Sequence, residues 1–254
     1  MKILRLRIAV IFGCYLAFLG LVLSGCTYRY RVGSLQPLRE KQGPGMRVLD
    51  DGTVLYVYER LEIGLRPIPD EELNRRFPGQ SHRGKESTNP FTYGNWVPRG
   101  EQLTPQRFTV FRLSVKNYTY PKMLVNPYKM TITSQNNRIY SPLNVAQLKE
   151  YYLPYVTGYA GNPYAKYKER TDILERTLYP PKEFIFSGQE RSGYVVFPPL
   201  DEDVRQITVR IEDIALRFDS WGRPVETLDL EYHFQRDVDR IRYPLLVTRK
   251  PGVR

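Results

Sequence analysis

The sequence predicts a mainly β fold, a single antiparallel β-sandwich with a short helical excursion between strands, and three observations carry that reading. Apolar and polar residues alternate at period 2 in one short segment after another, Gly, Pro, Asn and Asp punctuate the stretches between, and only one region drops the alternation. With 254 residues, 41% apolar and 26% charged, the chain can fill one large core and is too polar for a polytopic membrane protein.

Leu55, Val57, Leu61, Ile63 and Leu65 share one parity and are expected on one face. Phe111, Leu113 and Val115 alternate with Arg112, Ser114 and Lys116; Tyr128, Met130 and Ile132 alternate with Lys129, Thr131 and Thr133. Phe184 and Phe186, residues 194–197, and Ile207, Val209 and Ile211 follow, and Leu228, Leu230, Tyr232 and Phe234 make the cleanest strand. Apolar parity flips at Glu212-Asp213, between Ile211 and Ile214, as one extra residue in a strand would require, which predicts a bulge. Asp219-Ser220-Trp221-Gly222 supplies turn residues, so 206–218 and 226–235 should form a hairpin. Residues 145–153 and 165–178 lack alternation; Ile173, Leu174 and Leu178 recur at helical spacing, Pro154, Gly158, Gly161 and Pro163 separate the two pieces, and Pro180-Pro181 stops the second.

The first 25 residues read as an export signal. Lys2, Arg5 and Arg7 precede an apolar run from residue 8 to 23, the basic and apolar regions of a secretory leader. The run ends in Leu23-Ser24-Gly25-Cys26, which resembles the lipobox of bacterial lipoproteins. That resemblance implies cleavage before Cys26 and a lipid on its sulfur, and Thr27, where inner-membrane lipoproteins carry Asp, implies sorting to the outer membrane, on its periplasmic or surface face. The alternative is an uncleaved span, because about 16 to 18 apolar residues lie at the lower edge of what crosses a bilayer. Gly20, Ser24 and Gly25 near its end favour cleavage.

Residues 26–52 then read as a tether, in which Arg29, Arg31, Arg39 and Lys41 either lie on anionic headgroups or are simply solvated. Residues 53–238 read as the sandwich, with the excursion at 144–179, and 239–254 as a basic tail. The strand pattern of 53–238 resembles the immunoglobulin-like domains of bacterial lipoproteins. Without a Cys–Trp–Cys signature, Tyr, Phe, Leu, Ile and Val must build the core alone.

Composition excludes several chemistries. Two cysteines and two histidines cannot supply a disulfide framework or a Cys/His zinc site, and no cofactor is expected. Of the net charge of +11, three units belong to the leader; the remaining excess is scattered and matches no nucleic-acid motif. Asp201-Glu202-Asp203 offers carboxylates to calcium but without EF-hand spacing reads as a solvated loop. Asp70-Glu71-Glu72 should start a short helix, His233 falls on the polar side of its strand, and His82 sits in a loop spanning 79–85.

Twenty tyrosines are the outlier, and six of them cluster between residues 151 and 167 of the excursion: Tyr151, Tyr152, Tyr155, Tyr159, Tyr164 and Tyr167. Tyrosine pairs an apolar face with a polar tip, so Tyr151, Tyr155, Tyr159 and Tyr164 are candidate partner-binding residues, against the alternative that these rings cover the sandwich edge. The function expected is a non-enzymatic outer-membrane lipoprotein that presents its sandwich to an envelope protein. A peptidoglycan- or polysaccharide-binding role is the alternative, with a carboxylate-based hydrolase behind it.

Overall fold

The computed structural model describes residues 28–99, 104–157 and 162–242. Cys26 and Tyr159 lie outside them. In chain order the first strands are β1 (Tyr28–Val32), β2 (Gln36–Pro37), β3 (Met46–Val48), β4 (Val54–Tyr58) and β5 (Leu61–Ile68), followed by helices α1 (Asp70–Arg76) and α2 (Pro78–Ser81). Then come β6 (Thr109–Asn117), β7 (Lys122–Met123), β8 (Met130–Ser134), β9 (Ile139–Tyr140), and helices α3 (Val145–Tyr152), α4 (Pro154–Thr157) and α5 (Pro163–Thr177). The chain finishes with β10 (Ile185–Phe186), β11 (Gln189–Phe197), β12 (Gln206–Phe218), β13 (Pro224–Gln235) and β14 (Val238–Arg242).

Residues 33–237 form one compact unit, a sandwich of two five-stranded antiparallel sheets. Sheet I runs β11-β6-β5-β4-β3 and sheet II runs β2-β13-β12-β8-β9. Their facing sides bury Leu61, Ile63, Leu65, Phe111, Leu113 and Val115 against Met130, Ile132, Val209, Ile211, Tyr232 and Phe234. Phe111 meets Phe234 across the gap with ring centroids 5.4 Å apart, and the Tyr232 hydroxyl donates to the Ile63 carbonyl at 3.0 Å. The second unit pairs β1 with β14 as an antiparallel ribbon, Tyr28 opposite Arg242.

Residues 26–52 are therefore not a free tether over the part described. Residues 28–32 pair with 238–242, and 33–52 belong to the sandwich, where Met46 pairs Tyr56 and Pro37 pairs Phe234. Their turn residues shorten the strands without preventing backbone pairing at two sheet edges, which is why no sustained period marks them. The basic tail likewise begins as a strand.

The shared parity expected of Leu55, Val57, Leu61, Ile63 and Leu65 breaks at the two-residue turn Glu59-Arg60. Tyr58 pairs Leu61 directly, so even-numbered residues of β4 face the same side as odd-numbered residues of β5. Val54 and Tyr56 turn inward with Leu65 and Ile63, and Leu55, opposite Gly64, lies on the outer face. The bulge is where parity placed it: register shifts between Ile211 and Ile214, Asp213 takes φ 53°, and its N–H is held by the Asp229 carboxylate at 2.8 Å.

Residues 194–197 show no alternation because both faces of their strand are covered. Val195 and Phe197 enter the sandwich core, whereas Tyr194 and Val196 join a second core beneath the helices, with Ile68, Val110, Leu73, Phe91, Leu148, Ile173 and Leu174. The excursion thus packs its aliphatic stripe on the outer face of sheet I. Asn144 and Gln147 close a reciprocal capping box at the start of α3, and Asn162 caps α5.

Candidate functional site

One end of the sandwich gathers four connections: the Glu59-Arg60 turn, residues 118–121, the Ser187-Gly188 turn and the β12–β13 turn. Asn117, fully buried, organises two of them. Its amide donates to the carbonyls of Tyr120 and Ile185, each at 2.9 Å, and its carbonyl oxygen accepts from the Tyr120 N–H at 2.9 Å. The Gly188 N–H closes the third connection on the Asn117 carbonyl at 2.7 Å. Sheet II joins the same end through the backbone bridge between Leu124 and Ala215.

On that frame stands a group of exposed rings. Phe184 packs edge-on against Phe218 with centroids 5.3 Å apart and against Phe186 at 6.4 Å, and the Lys122 ammonium lies 5.1 Å and 5.0 Å from the Phe184 and Phe218 centroids. The Arg60 guanidinium lies over Tyr118 at 5.7 Å. Phe186 is 51% exposed and Trp221 85%. The Trp221 ring does not hold its own turn: the Asp219 carboxylate accepts from the N–H groups of Trp221 (2.9 Å) and Arg223 (2.8 Å), and Gly222 supplies the φ of 77°. Aromatic rings interleaved with Arg and Lys offer stacking and cation–π contacts to a partner, the composition that interface cores favour. The spacing of Phe184 and Phe186 reads as a buried strand face, but β10 is two residues long and pairs only β7, leaving Phe186 uncovered.

The tyrosines of the excursion divide. Tyr152 is fully buried; its hydroxyl accepts from the Arg107 guanidinium at 3.0 Å and donates to the Pro90 carbonyl at 2.6 Å. Tyr155 is half-buried against the second core, with Arg170 5.3 Å from its ring centroid. Tyr151 is 37% exposed and edge-packed on Phe108 and Tyr152, both at 5.0 Å, whereas Tyr164 is 66% exposed. Tyr167 packs partly buried against the second core.

Around Tyr152 sit two buried arginines that the sequence alone did not single out. Arg107 stacks 4.0 Å from the centroid of Tyr93, and Arg170 donates to the Ser87 carbonyl at 2.7 Å. Burial holds the Arg170 pKa below the ordinary arginine range. Both reach a polar segment, residues 81–96, buried over 87–92, that Asn89 ties together: its amide donates to Ser81 Oγ at 2.9 Å and its side-chain carbonyl oxygen takes the Phe91 N–H at 2.9 Å. Gly94 is required there, at φ 66°, because an added Cβ would stand 2.2 Å from the Ser81 carbonyl oxygen. The loop expected at 79–85 accordingly holds the helical turn α2, after which His82 donates its backbone N–H to the Pro78 carbonyl at 3.1 Å.

The remaining candidates fall into ordinary roles. Asp201 and Asp203 pair with Arg138, at 2.9 and 2.6 Å, and among the described residues no group of three or more His, Cys, Asp or Glu could hold a metal ion. Asp70 does begin a helix, α1, and burial, reinforced by Glu71 beside it, pushes its pKa up to about 7, which the Arg107 charge only partly offsets. His233 Nδ1 shares a hydrogen bond with the Thr208 hydroxyl at 3.1 Å, and burial lowers its pKa. No helix among the described residues is long and apolar enough to cross a membrane. Comparison with protein-family models, curated proteins and solved structures finds no match for the chain.

Proposed function

We propose that this chain is a lipid-anchored, non-enzymatic protein of the outer membrane that presents one end of its sandwich to a protein partner in the envelope. The observation that carries the reading is Trp221, 85% exposed on a turn that Asp219 and Gly222 already hold without it. A large ring left in water with no structural task, three residues beyond Phe218, whose own ring packs on Phe184, matches the anchor of an interface.

The chain's path supports the same reading. The sandwich begins at Gly33, whose N–H bonds the Asp237 carbonyl at 2.8 Å, just past the end of β13. The aromatic end is at the other extremity of β12 and β13, roughly 40 Å away at about 3.3 Å per residue. A lipid on Cys26, which the lipobox resemblance implies, would anchor the chain seven residues before Gly33, and so on the side of the sandwich's chain entry rather than of the hairpin end. Tyr151 packs on Phe108, next to the start of β6 and so at the end of sheet I away from the hairpin turn, and is secondary to the hairpin end.

In-cell photo-crosslinking tests this, with a photoreactive residue at 221, at 186 or at 164 in the full-length protein. Discrete adducts from 221 and 186, lost in a Phe184→Ala background that keeps the melting temperature, are expected. An absence of adducts at 221 and 186 while 164 gives them would move the interface to the helices and overturn the assignment.

A further inference from the structure

The helices cover only half of the outer face of sheet I, and the other half carries a polar trough of about 300 Å³, at the small end of the range of ligand sites. Strand register builds it in three rows. Glu190, Lys116 and Glu62 stand side by side; next come Ser192, Ser114 and Gly64; then Tyr194, Arg112 and Arg66. The outer rows are long side chains and the middle row is small, so the depression follows from the sequence of β5, β6 and β11 once they are paired. Gly64 keeps the floor low: a Cβ there would lie 2.6 Å from Ser114 Oγ.

The rows differ in charge balance. Lys116 satisfies both its neighbours, Glu62 at 3.5 Å and Glu190 at 3.8 Å. In the third row Arg66 holds Glu72 at 2.5 Å and Asp51 at 3.8 Å. Arg112, directly opposite Arg66, has only a 3.3 Å hydrogen bond to the Ser192 hydroxyl, and among the described residues no carboxylate lies within ion-pair distance of it. Two guanidiniums facing each other across a strand pair repel. Arg76 adds a third cation, 5.6 Å from the Tyr194 ring centroid. The row has an excess of planar donor forks beside two serine hydroxyls.

We propose that this trough binds a carboxylated sugar, its carboxylate received by the Arg112 fork and its hydroxyls by Ser114 and Ser192. A guanidinium matches a carboxylate with two parallel hydrogen bonds. The lining, mostly charged and hydroxyl groups with Leu49, Leu55 and Val115 as its aliphatic part, suits a polyhydroxylated ligand better than an apolar one. The site is separate from the hairpin end and stands or falls without it.

Calorimetric titration of the detergent-solubilised full-length protein with digalacturonate, with lactose and with inorganic phosphate is the test. Saturable binding of digalacturonate alone is expected. Arg112→Gln should weaken it by at least about tenfold, the effect of losing a charge-assisted pair, and Arg112→Lys by less. Ser192→Leu, which fills the middle row from the edge strand without removing a buried group, should abolish binding at an unchanged melting temperature, and Trp221→Ala should leave it intact. Failure of digalacturonate to bind, or equal affinity in Arg112→Gln or Ser192→Leu, would overturn the site. Lactose or phosphate binding as tightly as digalacturonate would overturn its assignment to an acidic sugar.

Discussion

The two cores of this molecule are built on opposite principles. Between the sheets, aliphatic and aromatic side chains interdigitate, and the polar contact that crosses the gap, Tyr232 to the Ile63 carbonyl, links a side chain to backbone. Beneath the helices, Leu148, Ile173 and Leu174 share their space with Arg107, Arg170 and the polar segment 81–96. An apolar core is stabilised by area removed from water and tolerates exchange among residues of equal volume. A core holding two guanidiniums depends instead on how well its donors are matched, because an unmatched buried polar group costs more than its bond returns, and here Arg107 Nε and Arg170 Nε have no acceptor among the described residues. The sandwich is therefore the source of stability, and the helical layer the place where small changes are felt locally.

The comparison can be broken in order of expected effect. Phe111→Ala, at the centre of the sandwich between Phe197 and Phe234, should cost about 3 to 5 kcal/mol and lower the denaturant midpoint of the whole unit. Leu174→Ala should cost about 2 to 5 kcal/mol, concentrated in faster amide exchange of α3 and α5. If strands β12 and β13 exchanged equally faster, the two cores would be one cooperative unit and the distinction would fail.

Tyr152→Phe removes a hydroxyl that serves Arg107 and the Pro90 carbonyl, leaving both short of a partner. A loss of about 1 to 3 kcal/mol is expected in denaturant titration, although almost no apolar contact is lost. A neutral result would mean that Arg107 is satisfied by its stack on Tyr93.

Asp70 tests the polar core through pH. Its folded pKa of about 7 lies above the unfolded carboxylate value of about 3.9, so the folded state binds the proton more tightly. The corresponding stability is present below about pH 4 and lost as pH rises through 7. Asp70→Asn should flatten that part of the pH–stability curve and raise stability at pH 8 by roughly 2 kcal/mol, allowing for partial exposure at the helix start. At the far end of the scale, Trp221→Ala should change the melting free energy by less than about 0.5 kcal/mol, since the turn is held by Asp219.

What the sequence determined by itself is what depends on near neighbours. Period 2 located β6, β12 and β13, a parity slip located the bulge at Asp213, and Asp219 with Gly222 located the hairpin, because side-chain alternation and turn chemistry act within a few residues. The excursion and its aliphatic stripe were legible for the same reason. Tertiary structure alone decided the rest. The turn at Glu59-Arg60 exchanged faces between β4 and β5 and sent Leu55 outward, and residues 33–52 found sheet edges that their own pattern does not announce. Arg107 and Arg170, 63 positions apart, meet the same Tyr152 only after α3 and α5 settle on sheet I. Arg112 reads in the sequence as one polar residue of an alternating strand, and only pairing sets Arg66 opposite it, with no carboxylate of the described residues within ion-pair distance. Charge balance and exposure are sums over neighbours distant along the chain, so they come into being with the fold.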